Sequence, residues 1–275
     1  MSGRPTPAAP LSPDLERYRR AMGRIQGWLA ETDLRLFALV DDAQRERGIV
    51  GDLVEFGAYH GKLAIALGFL AGPDERVVVC DLFDDLPQGE ENRRESSRYY
   101  ADLTRAAFDA NWRHFHGSRP VTVVQEDSTV WGGRGVEAAR IVHLDGGHAH
   151  EVVVADLRTS RALARDGAIV VLDDYRRDGL PGVAAAAWGA VATEGLVPLC
   201  LSSAKLYATW GPPDPALAAA LSDRVHATFG ARVDTQVVGG RPVLVVAPVP
   251  GVASTLASRL VPARARSLLR SLRRS

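Results

Sequence analysis

Short apolar runs of strand length alternate along this chain with segments of helical periodicity. From Pro13, with Asp14 as a start signal, Leu15, Tyr18, Met22, Ile25 and Leu29 mark one face of a helix. Glu31 to Arg47 is a second amphipathic helix, with Leu34, Leu36, Phe37, Leu39 and Val40 on its apolar side. Asp52 to Gly61 predicts a strand and a turn, followed by a helix to about Ala71. Arg76 to Asp81 predicts the next strand, and Leu82 to Arg98 a long polar connection of the kind that is usually functional or mobile. Tyr99 to His116 reads as a helix and Val121 to Ser128 as a third strand, with a glycine-rich loop from Trp131 to Gly135.

The unit from Ile141 to Tyr175 is strand, helix, strand, which a right-handed crossover makes parallel. Val183 to Glu194 is an alanine-rich helix. Leu196 to Leu201 and Leu206 to Trp210 form an antiparallel hairpin around Ser202-Ser203-Ala204-Lys205. The order predicts an α/β fold with a mostly parallel sheet of seven strands and helices on both faces. Beyond Gly211 a helix (Pro215 to Phe229), a strand (Pro242 to Pro248) and an arginine-rich amphipathic helix (Ser254 to Arg273) are expected. The predicted organisation is a disordered stretch over 1–12, a helical cap over 13–50, a core over 51–210 and an appendage over 211–275 that ends in the basic helix.

Charge and cysteine content narrow the function classes. Of the 275 residues, 33 are basic and 33 acidic, so no global field argues for nucleic acid. Cys80 and Cys200 lie inside apolar runs and are expected as buried thiols in a reducing compartment. No apolar run approaches the ~20 residues of a membrane helix, and Met1 to Pro13 lacks the apolar segment of a signal peptide. A cytoplasmic location is expected. The basic tail could meet an anionic membrane surface, but a solvated helix packed on its own domain is the favoured reading. A homodimer through the terminal helices is plausible on the sequence.

Candidate chemistry gathers at strand ends. Asp145 ends one apolar run, and Asp173 with Asp174 ends the next, so the acids share the carboxyl edge of a parallel sheet, where ligands bind in open α/β folds. Three clustered acids need a proton or a cation, and a hard divalent ion suits oxygen ligands. Gly57 and Gly61 bracket the bend after the first strand, as backbone close to a ligand requires. Glu55, just before that bend, would repel a pyrophosphate and suits an ammonium or hydroxyls, which disfavours NAD. Asp81, at the second strand's end, is placed for a ribose hydroxyl pair. Asp127 and Ser128 could meet a purine edge, or only cap the following turn.

Taken together, Val54-Glu55-Phe56-Gly57 with Gly61, Asp81 to Pro87, Glu126-Asp127-Ser128, Leu144-Asp145-Gly146-Gly147-His148 and Leu172-Asp173-Asp174-Tyr175 resemble the class I S-adenosylmethionine-dependent methyltransferases. The resemblance is closest to the metal-dependent macrocin/mycinamicin-type sugar O-methyltransferases, covers about Gly51 to Trp210, and implies a Rossmann-like fold. It places Glu55, Gly57 and Tyr59 at the methionine part of S-adenosylmethionine, Asp81 at the ribose, and Asp127 with Ser128 at the adenine, and counts Gly61 among the cofactor-binding residues. It places magnesium on Asp145, Asp173 and Asp174, and Gly147 stands where relatives often carry an aspartate. His148 falls where catechol O-methyltransferases carry a lysine base, and either the base role or a packing role is open to it. His143 and His150 are weaker candidates. The resemblance implies methylation of a hydroxyl on a sugar, in a glycoside, polysaccharide or natural product. A catechol-type aromatic acceptor and a non-catalytic cofactor-binding partner protein remain as alternatives.

Overall fold

The computed structural model describes residues 11–86 and 103–248. Helix α1 (Pro13–Ala21) is capped by the Ser12 side chain and runs into a short 3₁₀ turn, Met22–Arg24. The predicted helix therefore stops before Ile25 and Leu29, and Gly27 at φ +110° turns the chain toward the next element. Helix α2 (Glu31–Glu46) agrees with the sequence, and all five of its named apolar residues are buried. Then come β1 (Asp52–Phe56), α3 (Lys62–Leu70), β2 (Val77–Cys80), α4 (Arg105–His116), β3 (Thr122–Val124), α5 (Ser128–Trp131), β4 (Ala139–Leu144), α6 (His150–Leu163) and β5 (Ala164–Leu172). The chain closes with α7 (Pro181–Gly189), a π turn (Ala190–Glu194), β6 (Leu196–Leu201), β7 (Leu206–Trp210), α8 (Pro215–Phe229), β8 (Val233–Val238) and β9 (Arg241–Val246).

The strands form one sheet in the order β3-β2-β1-β4-β5-β7-β6-β9-β8, parallel from β3 through β5. β7 runs antiparallel to both β5 and β6, so the predicted hairpin is present. The sheet has nine strands where the sequence predicts seven. The two additional strands come from the tail, where β9 pairs parallel to β6 and β8 pairs antiparallel to β9. β8 was missed because Val233–Val238 is largely solvent-facing, without the apolar run of an inner strand. The residues of the basic helix (254–273), the first ten residues, most of the polar connection, and Tyr99 with Tyr100 lie outside the described residues.

Alternation along the strands builds two cores, because successive side chains point to opposite faces. Leu53, Val77, Val79, Ile141, Ile169 and Val171 face α1 to α4 and α8. Val54, Phe56, Val78, Val142, Leu144, Val170 and Leu172 face α5, α6 and α7. Cys80 and Cys200 are buried and unpaired, as expected, and burial pushes both thiols up. No helix among the described residues is long and apolar enough to cross a membrane.

The chain climbs outward from β1 to β3, then returns to lay β4 on the other side of β1. That reversal opens a crevice at the carboxyl ends of β1 and β4.

Candidate active site

A cavity of about 630 Å³ occupies that crevice, roofed by the segment between α1 and α2 and lined at its floor by strand ends. Gly57 makes it possible for β1 to turn there. Its φ is +77°, and a β-carbon on it would sit 2.0 Å from the Asp145 carbonyl oxygen. Gly61 (φ +83°) is pressed against the Phe108 ring, 2.9 Å from where a β-carbon would stand, and opens α3. Among the described residues, three non-glycine residues have positive φ: Tyr59, Phe83 and Asp174. All three line the cavity, one after each of β1, β2 and β5. Such backbone costs on the order of 1–3 kcal/mol each and concentrates at ligand sites.

Asp81 caps the first turn. Its Oδ2 accepts from the amides of Ala58 and Tyr59 (2.6 and 2.9 Å), and its Oδ1 from Phe83 (2.8 Å). Burial lifts its pKa, and those amides limit the rise. A carboxylate offers about four acceptor sites, so room remains for a ligand hydroxyl. Asp127 behaves as the capping alternative describes, accepting from the amide and hydroxyl of Thr129 at 3.0 and 2.6 Å, yet it lines the cavity with Ser128.

A buried polar chain lies behind β1 and β4, and the sequence signalled only part of it. Lys205, in the β6–β7 turn, donates its ammonium to Asp173 Oδ2 and to His143 Nε2 (2.9 Å). Lysine can only donate, so His143 Nε2 is the acceptor and its proton sits on Nδ1. That atom faces Glu55 Oε1 at 3.4 Å. Burial, reinforced by Lys205, lowers the His143 pKa well below its usual value, so the ring is neutral. His143 also packs edge-on against Phe37, so it is both packed and part of the polar chain. Burial alone would strip the Lys205 proton, but Asp173, Asp145 and Asp33 outweigh it and hold the ammonium charged. Burial likewise opposes ionisation of Asp173, and Lys205 overrides it, so that pKa is lowered. Glu55 is raised well above its usual value by burial and then by Asp145. Its Oε2, like Asp33 Oδ2 on α2, accepts no hydrogen bond from any described residue.

Asp145 belongs to two groups at once. The inner group is His143, Asp145 and Asp173, and the outer is Asp145, His148 and Asp174, each with ligating atoms within 4.8 Å of one another. His148 Nε2 lies 3.8 Å from Asp145 Oδ1 and 3.7 Å from Asp174 Oδ2. Asp174 also pairs with Arg177 at 2.9 Å. Burial, then Asp173, raises Asp145 to about 7. His150 sits half-exposed beside Glu151, away from this cluster. Lys205 and Asp33 were missed because a lone lysine in a serine-rich turn and a helix aspartate carry no motif.

The comparisons with known proteins agree with the fold. Residues 54–175 match the family model of a methyltransferase domain. No curated protein sequence matches the chain. Among solved structures, the O-methyltransferase NovP is similar at 17% identity and TM-score 0.55, over 66% of this chain and 81% of its own. A Podospora anserina methyltransferase, PaMTH1 bound to S-adenosylhomocysteine, is similar at 10% identity and TM-score 0.52, over 74% and 91%. Cofactor-bound Rv0187 from MTB follows at 17% identity and TM-score 0.51, over 76% and 99%. The matched residues, 54–175, span the ends of β1, β2, β3, β4 and β5 around one crevice, so the likeness to a methyltransferase domain covers the part of the chain that builds most of the cavity.

Proposed function

We propose that the protein moves the methyl group of S-adenosylmethionine to a hydroxyl of a sugar, in a glycoside, polysaccharide or natural product. The charge of the cavity carries this reading. Nine carboxyl side chains line it (Asp33, Glu55, Asp81, Asp85, Glu126, Asp127, Asp145, Asp173 and Asp174) against the cations Lys62, Arg177 and Lys205. Such a wall repels a dinucleotide's phosphates and suits a sulfonium, an ammonium and a divalent ion. The buried, unpartnered Glu55 Oε2 fits the cofactor's ammonium, and Asp81 fits ribose hydroxyls. S-adenosylmethionine, when bound, supplies an electrophilic methyl on sulfur.

A hydroxyl is a poor nucleophile at neutral pH, and the outer group meets that need. The carboxylates of Asp145 and Asp174 fit magnesium, which takes one or two carboxylates and completes its shell with water or substrate. A bound magnesium ion would lower the pKa of an acceptor hydroxyl that it chelates. His148, facing both carboxylates, takes the hydroxyl proton as general base, an imidazole being half-charged near ~6.5. That NovP is described as an O-methyltransferase supports oxygen as the acceptor atom.

Incubation with labelled S-adenosylmethionine and a panel of sugars and phenols tests the reading. Transfer to sugars is expected, abolished by chelator and restored by magnesium. Label on phenols alone would establish the catechol-type alternative, and calorimetry showing no S-adenosylhomocysteine binding would remove the reading altogether. His148→Ala is expected to lose roughly 10²–10⁴-fold in kcat, and near-normal turnover would reassign the base.

A further inference from the structure

We propose that Lys205 is a built-in cation that withdraws Asp173 from the metal site, leaving Asp145 and Asp174 as the protein's ligands to the divalent ion. This rests on the metal-assisted reading above and departs from the three-aspartate set that the resemblance implies. Both oxygens of Asp173 are engaged, Oδ2 by the Lys205 ammonium and Oδ1 by the amide of Asp174 at 2.8 Å. A divalent ion on Asp173 would have to lie beside an ammonium in a buried setting, where like charges are poorly screened.

Backbone geometry separates the two neighbouring acids. Asp174 adopts φ +53°, and its carboxylate faces His148 and Arg177, while that of Asp173 takes the Lys205 ammonium, which it shares with His143. Only the outer group contains Asp174. The lysine is also held in place from several sides. Ser202 Oγ accepts from the Lys205 amide (2.8 Å), and the Ser202 amide donates to the Lys205 carbonyl (2.8 Å). The residues directly after Asp174 clamp the same turn, Tyr175 hydroxyl on the Ser202 carbonyl (3.2 Å) and Arg176 Nε on that of Ser203 (3.0 Å). The β6–β7 hairpin thus carries its ammonium to a fixed point beside β5, which β7 flanks directly. Lys205 is a positioning residue in this scheme, acting on the metal through Asp173.

Calorimetric titration of magnesium chloride into the full chain saturated with S-adenosylhomocysteine tests the division. Asp174→Asn is expected to weaken magnesium at least tenfold, whereas Asp173→Asn stays within about threefold of the unmodified protein. Lys205→Met is expected to bind magnesium at least threefold tighter, because Asp173 is released to it. Should that variant fail to fold, the contrast between the two asparagine variants decides alone. Equal weakening by Asp173→Asn and Asp174→Asn would overturn the division while leaving a metal-assisted enzyme. A protein that binds no magnesium, yet methylates sugars in chelator, would overturn the metal reading and this assignment with it.

Discussion

Two buried cations belong to one sheet, Arg140 near the start of β4 and Lys205 at the opposite edge, and their surroundings differ. Arg140 is saturated. Its guanidinium meets Glu75 at 2.6 and 2.8 Å, Gln44 at 2.9 Å, the Leu70 carbonyl at 3.2 Å and Asp41 at 2.8 Å. Gln44 returns a bond to the Arg140 carbonyl at 2.7 Å, tying α2 to the sheet. Glu75 also accepts from the amides of Gly51 and Gly72, and although burial opposes it, Arg140 and those amides hold its pKa low. Around Lys205, by contrast, Glu55 Oε2 and Asp33 Oδ2 accept nothing among the described residues, and Glu55 and Asp145 are raised in pKa. Around Arg140 the acids are paired with the cation, Asp41 Oδ1 by charge rather than by a hydrogen bond, which marks structure, whereas the raised acids around Lys205 mark a ligand's place.

The comparison breaks most visibly at Arg140. Arg140→Met strands Glu75 and Asp41 in the interior and is expected to cost about 3–5 kcal/mol, as removing one partner of a buried ion pair does. Thermal unfolding should show that loss, with S-adenosylhomocysteine affinity of the folded fraction unchanged. A fall in affinity without loss of stability would erase the distinction between the two edges.

Asp156 on α6 is a buried carboxyl that pairs with no cation among the described residues. Burial raises it to about 7 against an ordinary 3.8, and its Oδ1 accepts no hydrogen bond from the described residues. Because the folded protein holds this proton more tightly than the unfolded chain, its contribution is complete below about pH 4 and is lost as pH rises through 7. Roughly 2–4 kcal/mol should disappear across that window, at ~1.4 kcal/mol per unit. Melting curves of Asp156→Asn should lack that part of the pH dependence, and an unchanged profile would show the carboxyl to be ionised in the fold.

At the site edge, effects on binding should exceed effects on stability. Asp81→Ala is expected to weaken S-adenosylhomocysteine roughly 10- to 100-fold, about 1.4–2.7 kcal/mol, because it removes both the acceptor and the brace on the first turn. Smallest of all, Glu55→Gln should change stability by less than about 1 kcal/mol, since burial and the neighbouring Asp145 already oppose the charge on this carboxyl. It should still lose about tenfold in cofactor affinity, near ~1.4 kcal/mol. Calorimetry and melting on the same sample separate the two quantities.

The sequence by itself determined the elements whose burial is periodic. Leu53 to Phe56, Val77 to Cys80 and Ile141 to Leu144 carry apolar residues on both faces because helices cover both sides, and such runs read as inner strands without any partner known. It also placed Asp81, Asp145, Asp173 and Asp174 at one edge, since parallel connection carries every strand's carboxyl end the same way. Tertiary structure alone decided what the acids do there. That Lys205 meets Asp173 follows from the antiparallel pairing of β7 on β5, an association between residues 32 apart that no local pattern encodes. That Asp33 and Tyr207 join, with the phenol donating at 2.9 Å, depends on where α2 packs. Local periodicity records whether a residue is buried. Which charge it is buried against depends on sheet order, and only the folded chain sets that.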